Sequence, residues 1–251
     1  MNLAEATWTD AEVASMSLAL LPVGSTEQHG PHAPLGTDWL TAEAVARAGV
    51  DQYREEAVLA PTIPVGVAEE HRQFTGTLWV REDTFRAYVR ETIQSLASHG
   101  WDRIVVVNGH GGNVSPLREL CGRVTRDGTA YAVPFTWFDA VDLEEVSLPE
   151  DAGMGHGGPV ETSLVRHLRP ELVDESAFER ARDGGADGWG EWQSGVNLAY
   201  DSAEFTDSGV VGDPGKSSEA AGEQLLAAAS EQLAMLLEAV DERDVSRPSR
   251  R

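Results

Sequence analysis

Short apolar runs alternate along the chain with longer stretches whose apolar residues recur every three or four positions. The run LALLPV at 18–23 is continuous and ends at a glycine, which is typical of a buried strand. Residues 37–50 have helical spacing, with Thr37 or Asp38 near the start. The same criteria predict strands at 57–65, 103–109 and 129–135, and helices at 83–99, 116–124, 159–168 and 217–240.

This alternation, with strands that are apolar throughout, is typical of a parallel sheet covered on both faces. We therefore predict a three-layer α/β/α fold with a mostly parallel central sheet. No repeat or linker divides the chain, so we expect one domain over residues 1–251, with a core at about 18–240 and a polar C-terminal tail at 241–251. Residues 140–155 are predicted to be loop-rich, and 183–215 to form a long ordered loop.

Polar stretches follow two of the predicted strands. GSTEQHG comes directly after LALLPV, and NGHGGN comes directly after RIVVV. Ligand sites in open parallel sheets lie beyond the carboxyl ends of the strands. We therefore expect these two stretches to meet at one edge of the sheet.

The first candidate site is the stretch GSTEQHGPHAPLGTD. In it, Glu27, His29 and Asp38 can converge on a divalent ion, with His32 as a spare imidazole. Imidazole suits Zn, Fe and Mn, and carboxylates can bridge two ions. The alternative is a polar loop in which Asp38 caps a helix and backbone groups bond the histidines. The stretch alone does not separate these interpretations.

Two further glycine-rich stretches each carry a histidine. In NGHGGN, glycines around His110 allow a ligand to come close; a tight turn would explain the glycines but not the histidine. In GHGGPVETS, Pro159 is suited to begin a helix, which places Glu161 in its first turn and His156 in the loop before it. Glu161 then either faces the same edge as a ligand or only complements the helix dipole.

The three stretches together offer five candidate ligands: Glu27, His29, Asp38, His110 and Glu161. Such a set suits a dinuclear site in which one carboxylate bridges two ions, and metal ions lower the pKa of water from 15.7 to about 7. The sequence therefore predicts a metal-dependent hydrolase that obtains its nucleophile from water.

Other chemistries lack their motifs. The chain has no GxSxG nucleophile elbow, no GxGxxG dinucleotide fingerprint and no P-loop. Cys121 is the only cysteine, so no internal disulfide and no cysteine-based metal site can form. Its place within a predicted helix indicates a core residue.

The charge balance bears on partners and location. Asp and Glu number 42 against 19 Lys and Arg, the formal net charge is −23, and Lys216 is the only lysine. Such a surface repels nucleic acid and anionic membranes, so we expect neither as a partner. We interpret the acidity as a halophilic adaptation. The N-terminus lacks the basic region of a signal peptide, and no apolar run approaches the ~18 residues that span a bilayer, so we expect a cytoplasmic protein.

Five stretches, taken in order over roughly residues 18–240, resemble the creatininase family of metal-dependent amidohydrolases: LLPVGSTEQHGPHAPLGTD, EEHRQFTGTL, NGHGGN, GHGGPVETS and SGVVGDPGKSSEAAG. The resemblance implies a three-layer α/β/α fold, two divalent metal ions per chain (Zn, Mn or Fe) and a small amide substrate. It also implies a homo-oligomer, which in this family is commonly a hexamer.

The resemblance also implies roles for individual residues. Glu27, His29, Asp38 and His110 match metal ligands, with Asp38 as the bridge. His156 matches a histidine assigned to proton transfer beside the scissile bond.

Two departures argue against creatinine as the substrate. Creatinine hydrolases carry an acidic ligand two residues after the histidine of NGH, where this chain has Gly112. We therefore expect Glu161 to supply the fifth ligand and to belong to the catalytic set with His156. Creatinine hydrolases also have a tryptophan shortly before the catalytic histidine, and 151–155 contains none.

Other branches of the family include the archaeal formamidopyrimidine deformylase of riboflavin and deazaflavin biosynthesis and a peptidase that trims the mycofactocin precursor. The halophile-like composition favours the deformylase. Arg72 or Arg81 could then contact the phosphate of its nucleotide substrate. Trp189 and Trp192 are expected to anchor the loop at 183–215. Two other enzymatic alternatives are creatinine hydrolysis and the peptidase activity. The non-catalytic alternatives are a metal- or ligand-binding protein of the same fold and a structural scaffold. A protein that only binds a metal or ligand would not need His156.

Overall fold

The main sheet is parallel throughout, as predicted. The computed structural model describes residues 1–245, so residues 246–251 of the predicted tail lie outside the described part. Neighbouring strands run in the order β2-β1-β3-β4, and all three pairings are parallel. The strands are β1 (Leu18–Val23), β2 (Val58–Leu59), β3 (Arg103–Asn108) and β4 (Tyr131–Thr136).

Local sequence explains where the helices begin and end. Ser218 caps the last helix by accepting a hydrogen bond from a backbone N–H, and Gly128 ends the fourth in a left-handed conformation. None of the helices in the described residues is long and apolar enough to cross a membrane. The helices are α1 (Trp8–Glu12), α2 (Thr37–Gln52), α3 (Glu82–Ser98), α4 (Val114–Asp127), α5 (Pro159–Leu168), α6 (Phe178–Asp183) and α7 (Glu219–Asp241).

Alternating side chains of the central strands enter two separate cores. Leu20 and Val105 pack in the core formed with α2, α5 and α7, whereas Leu21 and Val106 pack with α3 and α4. Successive residues of a strand point to opposite faces, so strands that are apolar at every position require cover on both sides. The predicted three-layer α/β/α fold is confirmed.

The predicted strand at 57–65 is shorter than its apolar pattern indicates. Pro61 and Pro64 have no N–H to donate, so the regular ladder is limited to β2. The chain nevertheless stays beside β1, because Ala60 N and Ile63 N donate to carbonyls of that strand at 2.9 and 3.0 Å. Sequence patterning also did not identify the short helices α1 and α6.

The segment at 184–212, called the outer loop below, follows α6 and contains little regular structure. It contains a short hairpin and one 3₁₀ turn. The hairpin pairs two strands of two residues each, β5 (Trp192–Gln193) and β6 (Val196–Asn197), and the 3₁₀ turn is at Ser202–Glu204. Backbone bonds tie its two ends together, with Ala186 N donating to Val210 O at 3.0 Å and Gly212 N to Ala186 O at 2.9 Å. This matches the predicted ordered loop at 183–215.

Candidate metal centre

The carboxyl ends of β1 and β3 bring the two polar stretches together, as expected. Residues 24–38, which follow β1, and residues 108–113, which begin at the end of β3, are called the ligand edge below. A Cβ atom on Gly109 would lie 2.1 Å from the carbonyl oxygen of Asp38. Only glycine therefore lets the first turn of α2 approach the end of β3 and place the Asp38 carboxylate at the edge.

Two asparagines fix the NGHGGN turn. Asn108 accepts from the His110 N–H at 3.1 Å and donates to the His110 carbonyl at 2.7 Å. Asn113 accepts from Val67 N at 3.0 Å and donates to the Gly24 carbonyl at 3.1 Å. These side-chain bonds join the ends of both strands, so the turn holds His110 in a defined place. The tight-turn interpretation and the ligand interpretation are therefore compatible.

Asp38 lies between two imidazoles. Its Oδ1 is 3.0 Å from His29 Nε2, and its Oδ2 is 3.2 Å from His110 Nδ1. The N-cap of α2 is Gly36, and no side chain caps it, so the alternative in which Asp38 caps the helix is wrong. Each oxygen of this carboxylate faces a different histidine, which is the geometry that a bridging ligand needs.

Two sets of ligand atoms share Asp38. One set is Glu27, Asp38 and His110, and the other is His29, Asp38 and Glu161; within each, the ligand atoms lie within 4.8 Å of one another. All five residues that sequence reasoning named are thus brought together, and each is at most 6% exposed. A further set, Glu27, His29 and His156, satisfies the same criterion.

Backbone carbonyls orient the ligand histidines. His29 Nδ1 lies 3.2 Å from the Glu27 carbonyl, and His110 Nε2 lies 2.6 Å from the Val67 carbonyl. A carbonyl only accepts, so each of these nitrogens carries a hydrogen, and the other ring nitrogen faces the carboxylates, where it could bind a metal ion once deprotonated. Metal-binding histidines are held in the same manner.

Buried ligand atoms lack hydrogen-bond partners. Among residues 1–245, Glu27 Oε1 and Oε2, His29 Nε2 and Asp38 Oδ2 are buried and have no hydrogen-bond partner apart from the carboxylate–imidazole contacts within the cluster itself. Buried polar groups without partners are costly and uncommon. Oxygen and imidazole donors in this arrangement fit Zn²⁺, Mn²⁺ or Fe²⁺, which would satisfy all four atoms.

The electrostatics of the protein without metal agree with this interpretation. Burial alone would raise the pKa of Asp38, but His29 and His110 outweigh it and lower the pKa to about 2. Burial alone would lower the pKa of His29, but Asp38 and Glu161 outweigh it and raise the pKa to about 10. The carboxylates therefore hold protons on imidazoles that a divalent ion would displace.

Glu161 lies in the first turn of α5, and Pro159 begins that helix, as predicted. Its Oε2 accepts a 2.6 Å hydrogen bond from Gly157 N and is 3.8 Å from His29 Nε2. Burial raises its pKa to about 7. Glu161 thus faces the ligand edge, so its role is not limited to complementing the helix dipole.

His156 lies against the Glu27 side of the site. Its Nε2 donates to the Gln28 carbonyl at 2.6 Å, so its lone pair is on Nδ1, 3.8 Å from Glu27 Oε1. Burial and the neighbouring His29 and His71 hold its pKa well below the usual range, so the ring is neutral.

His71 is a site residue that sequence reasoning missed. Its ring is 1% exposed, stacks on His156 at 4.4 Å with planes 19° apart, and places Nε2 3.5 Å from Glu27 Oε1. The histidine stands in an irregular stretch after β2, where no periodicity marks it, although the family-like segment EEHRQFTGTL contains it. The spare His32, by contrast, bonds Thr162 at 3.0 Å and belongs to none of the ligand sets in the described residues.

A cavity of about 540 Å³ opens above the ligands. Trp189 from the outer loop lies over it, with ring centroids 5.6 Å from His71 and 5.9 Å from His156. Trp192 is 64% exposed, so the expectation that its packing anchors the loop is wrong; its ring nitrogen instead donates to the Trp189 carbonyl at 2.6 Å. None of the described residues that line the cavity is Lys or Arg. They include Glu70, Phe138, Met154, Asp187 and Val211.

The parallel sheet between helix layers and the buried carboxylate–imidazole sets define an α/β/α protein with a candidate metal site at the sheet's carboxyl edge. The family model Creatininase, described as creatinine amidohydrolase, matches residues 4–237, and the chain belongs to this family. Its named relatives are hydrolases, and this chain is a hydrolase of the same family.

Individual proteins show where in the family the similarity lies. The mycofactocin precursor peptide peptidase of Mycolicibacterium smegmatis is 34% identical over 238 residues, which cover 88% of this chain and 85% of that protein. The creatinine amidohydrolase of Pseudomonas putida is 30% identical over 190 residues, covering 68% and 72%. A solved manganese form of creatininase superposes with a TM-score of 0.79 at 25% identity, covering 96% of this chain and 99% of that one.

Proposed function

We propose that this chain is a two-metal amidohydrolase that cleaves an amide bond in a precursor peptide, the class of substrate that the name mycofactocin precursor peptide peptidase gives for its relatives. The observation that carries the proposal is the pair of ligand sets that share Asp38 on the floor of one cavity. Catalytic two-metal sites use a shared carboxylate in the same manner.

Glu27, Asp38 and His110 would hold one divalent ion, and His29, Asp38 and Glu161 the other. Zn, Mn and Fe all suit this donor set. Bound there, the ions would polarise an amide carbonyl and lower the pKa of a water molecule to about 7.

His156 is the proposed proton carrier. Because its Nε2–H is bonded to the Gln28 carbonyl, only Nδ1 can receive a proton from the site. The neutral ring accepts the proton at Nδ1 when water attacks, and donates it from the same atom to the leaving nitrogen. A protein that only bound metal would not require a base at this place, which separates the enzyme from the non-catalytic alternative.

The cavity supports a substrate without phosphate. Arg72 pairs with Asp201 at 2.7 Å, and neither it nor Arg81 is among the described residues that line the cavity. A formamidopyrimidine nucleotide would therefore meet carboxylates such as Glu70 where it needs a cation. Deformylase activity stays a prediction that none of the comparisons tests.

The surroundings of Gly112 argue against creatinine as the substrate. A Cβ atom on that residue would lie 2.1 Å from the Val67 carbonyl and 2.6 Å from His110 Nε2. The acidic ligand that the family resemblance implies for this position in creatinine hydrolases has no room here. A site built without that ligand supports a substrate other than creatinine.

Assembly and habitat are further parts of the proposal. We infer a cytoplasmic homo-oligomer, the hexamer in particular, adapted to high salt through its net charge of −23. A stability that rises steadily toward molar KCl supports the halophilic interpretation, and full stability in dilute buffer contradicts it. Light scattering at both salt concentrations gives the subunit number.

The proposed function is tested by product release. The metal-loaded protein is incubated with a synthetic precursor peptide, creatinine and a formamidopyrimidine nucleotide, in parallel with His156→Gln. Metal-dependent cleavage of the peptide alone, lost in the variant, is the expected result. Formate release from the nucleotide would replace the peptidase with the deformylase, and metal binding without turnover of any of the three would contradict the proposed substrate.

A further inference from the structure

Four imidazoles surround the Glu27 and Asp38 carboxylates, and three are oriented alike. His29, His110 and His156 each direct one N–H to a backbone carbonyl, at 3.2, 2.6 and 2.6 Å. Each therefore has its second ring nitrogen facing the site. At that nitrogen each ring can hold a proton, or bind an ion once the proton is released, without rearrangement.

His71 has the opposite orientation. Its Nδ1 lies 2.9 Å from Gln28 Nε2, an amide nitrogen that can only donate. The Gln28 amide is fixed, because its Nε2 donates to the Gly209 carbonyl at 2.9 Å and its Oε1 accepts from Gly30 N at 2.9 Å. His71 Nδ1 is thus an acceptor, and its hydrogen is on Nε2.

Two neighbours agree with this tautomer. The Ser202 hydroxyl lies 3.0 Å from the same Nδ1 and 3.0 Å from the Glu70 carbonyl, and by donating its hydrogen to Nδ1 it agrees with this tautomer. On the other side of the ring, Nε2 is 3.5 Å from Glu27 Oε1. A carboxylate oxygen favours an N–H over a lone pair.

Gly112 allows His71 to come this close. The Val67 carbonyl would be 2.1 Å from a Cβ atom at that position, so a side chain there would displace the segment at 67–71. This segment supplies both the carbonyl that orients His110 and the His71 ring itself. The glycine that departs from creatinine hydrolases and the histidine beside Glu27 therefore belong to one arrangement.

We propose that His71 is a positioning residue that holds the Glu27 carboxylate with its Nε2–H and so sets the affinity of the ion held by Glu27, Asp38 and His110. The inference rests on the metal centre of the proposed function. His71 is not a ligand in it, because the nitrogen that faces the site carries the hydrogen. Groups that orient metal ligands in this manner change metal affinity by 10–100-fold when they are removed.

The test measures Mn²⁺ affinity of chelator-stripped full-length protein. His71→Phe keeps a flat ring on His156 but removes the N–H, and His71→Gln places an amide N–H close to the position of Nε2. His99→Gln, at an exposed histidine, is the matched control. Each variant is made in two backgrounds. Glu161→Gln leaves the ion site of Glu27, Asp38 and His110 to be measured alone, and His110→Ala leaves the ion site of His29, Asp38 and Glu161.

In the Glu161→Gln background, His71→Phe is expected to weaken Mn²⁺ binding by about 10–100-fold, and His71→Gln by no more than about threefold. In the His110→Ala background, all variants should remain within about threefold, because that ion does not depend on Glu27. Circular dichroism and thermal unfolding of each variant separate a loss of affinity from a loss of fold.

The outcomes distinguish the two proposals. Unchanged affinity in folded His71→Phe overturns the role of His71 and leaves the metal centre in place. Equal losses in His71→Phe and His71→Gln, or equal losses in both backgrounds, show a structural effect and also overturn it. If the unmodified chain binds no Mn²⁺, Zn²⁺ or Fe²⁺, both the metal centre and the inference fail.

Discussion

The ligand edge and the outer loop face the same cavity but are built in different ways. Side chains of the ligand edge are buried, and backbone carbonyls or asparagine amides fix them. The outer loop exposes Trp192 by 64% and Tyr200 by 85%, and its only strands in the described residues have two residues each. The candidate ligands thus depend on atoms that the sheet and its turns hold in place, whereas the exposed part of the outer loop, around Trp192 and Tyr200, makes fewer buried contacts and is where we expect substrate selection to lie.

Removing the shared ligand is the most severe way to test this division. Asp38→Ala should eliminate both ions and reduce kcat/KM by roughly 10³-fold or more, since metal ions contribute several kcal/mol to such reactions. Metal analysis and turnover of the same sample check both expectations. A variant that kept both ions would show that Asp38 is not the bridge.

Replacing the proton carrier should separate chemistry from metal binding. His156→Gln is expected to keep both ions and to lose ~10²–10⁴-fold in kcat, because Nδ1 no longer accepts a proton. Metal content and single-turnover rates are the measurements. Loss of one ion would make His156 a ligand, which the set of Glu27, His29 and His156 would also allow.

The pH dependence of metal binding sharpens the assignment of Glu161. Its pKa is raised to about 7 without metal, so it holds a proton at pH 6 and has lost it at pH 8, whereas His29, with a pKa of about 10, is protonated at both. Metal binding requires the deprotonated ligands, so affinity falls as the pH falls, and about one more proton is released at pH 6 than at pH 8.

Calorimetry in buffers of different ionisation enthalpy counts these protons. Glu161→Gln should remove the difference between the two pH values, because His29 contributes equally to both. A proton count that changes with pH just as much in the variant would assign the titration to another group.

The smallest effect is expected in the outer loop. Trp189→Ala removes a ring that packs on Phe205 at 5.3 Å and faces the two imidazoles, and should raise KM by roughly 3–10-fold with metal content unchanged. Tyr200→Ser, at an exposed position, is the control and should change neither. A loss of metal in Trp189→Ala would contradict the separation of the two regions.

The sequence predicted most of what depends on local pattern. Continuous apolar strands led to the parallel sheet, and polar residues directly after two of them led to the ligand edge. The strand predicted at 57–65 was too long, because the apolar pattern contains no information about the N–H groups that Pro61 and Pro64 lack.

Pattern alone could not find the outer part of the site. His71 takes its role from Gln28, which is 43 residues away, and from Ser202, which is 131 residues away. The Gln28 amide is in turn fixed by Gly209, at a separation of 181 residues. Contacts over such distances depend on how the outer loop packs, and no residue spacing encodes them.

The central claim is that Asp38 joins two ion positions, and the number of ions per chain tests it most directly. Native mass spectrometry of the protein loaded with Mn²⁺ or Zn²⁺ should give about two ions per chain, about one in Glu161→Gln and none in Asp38→Ala. A single ion in the unmodified chain, or two ions retained in Asp38→Ala, would contradict the account.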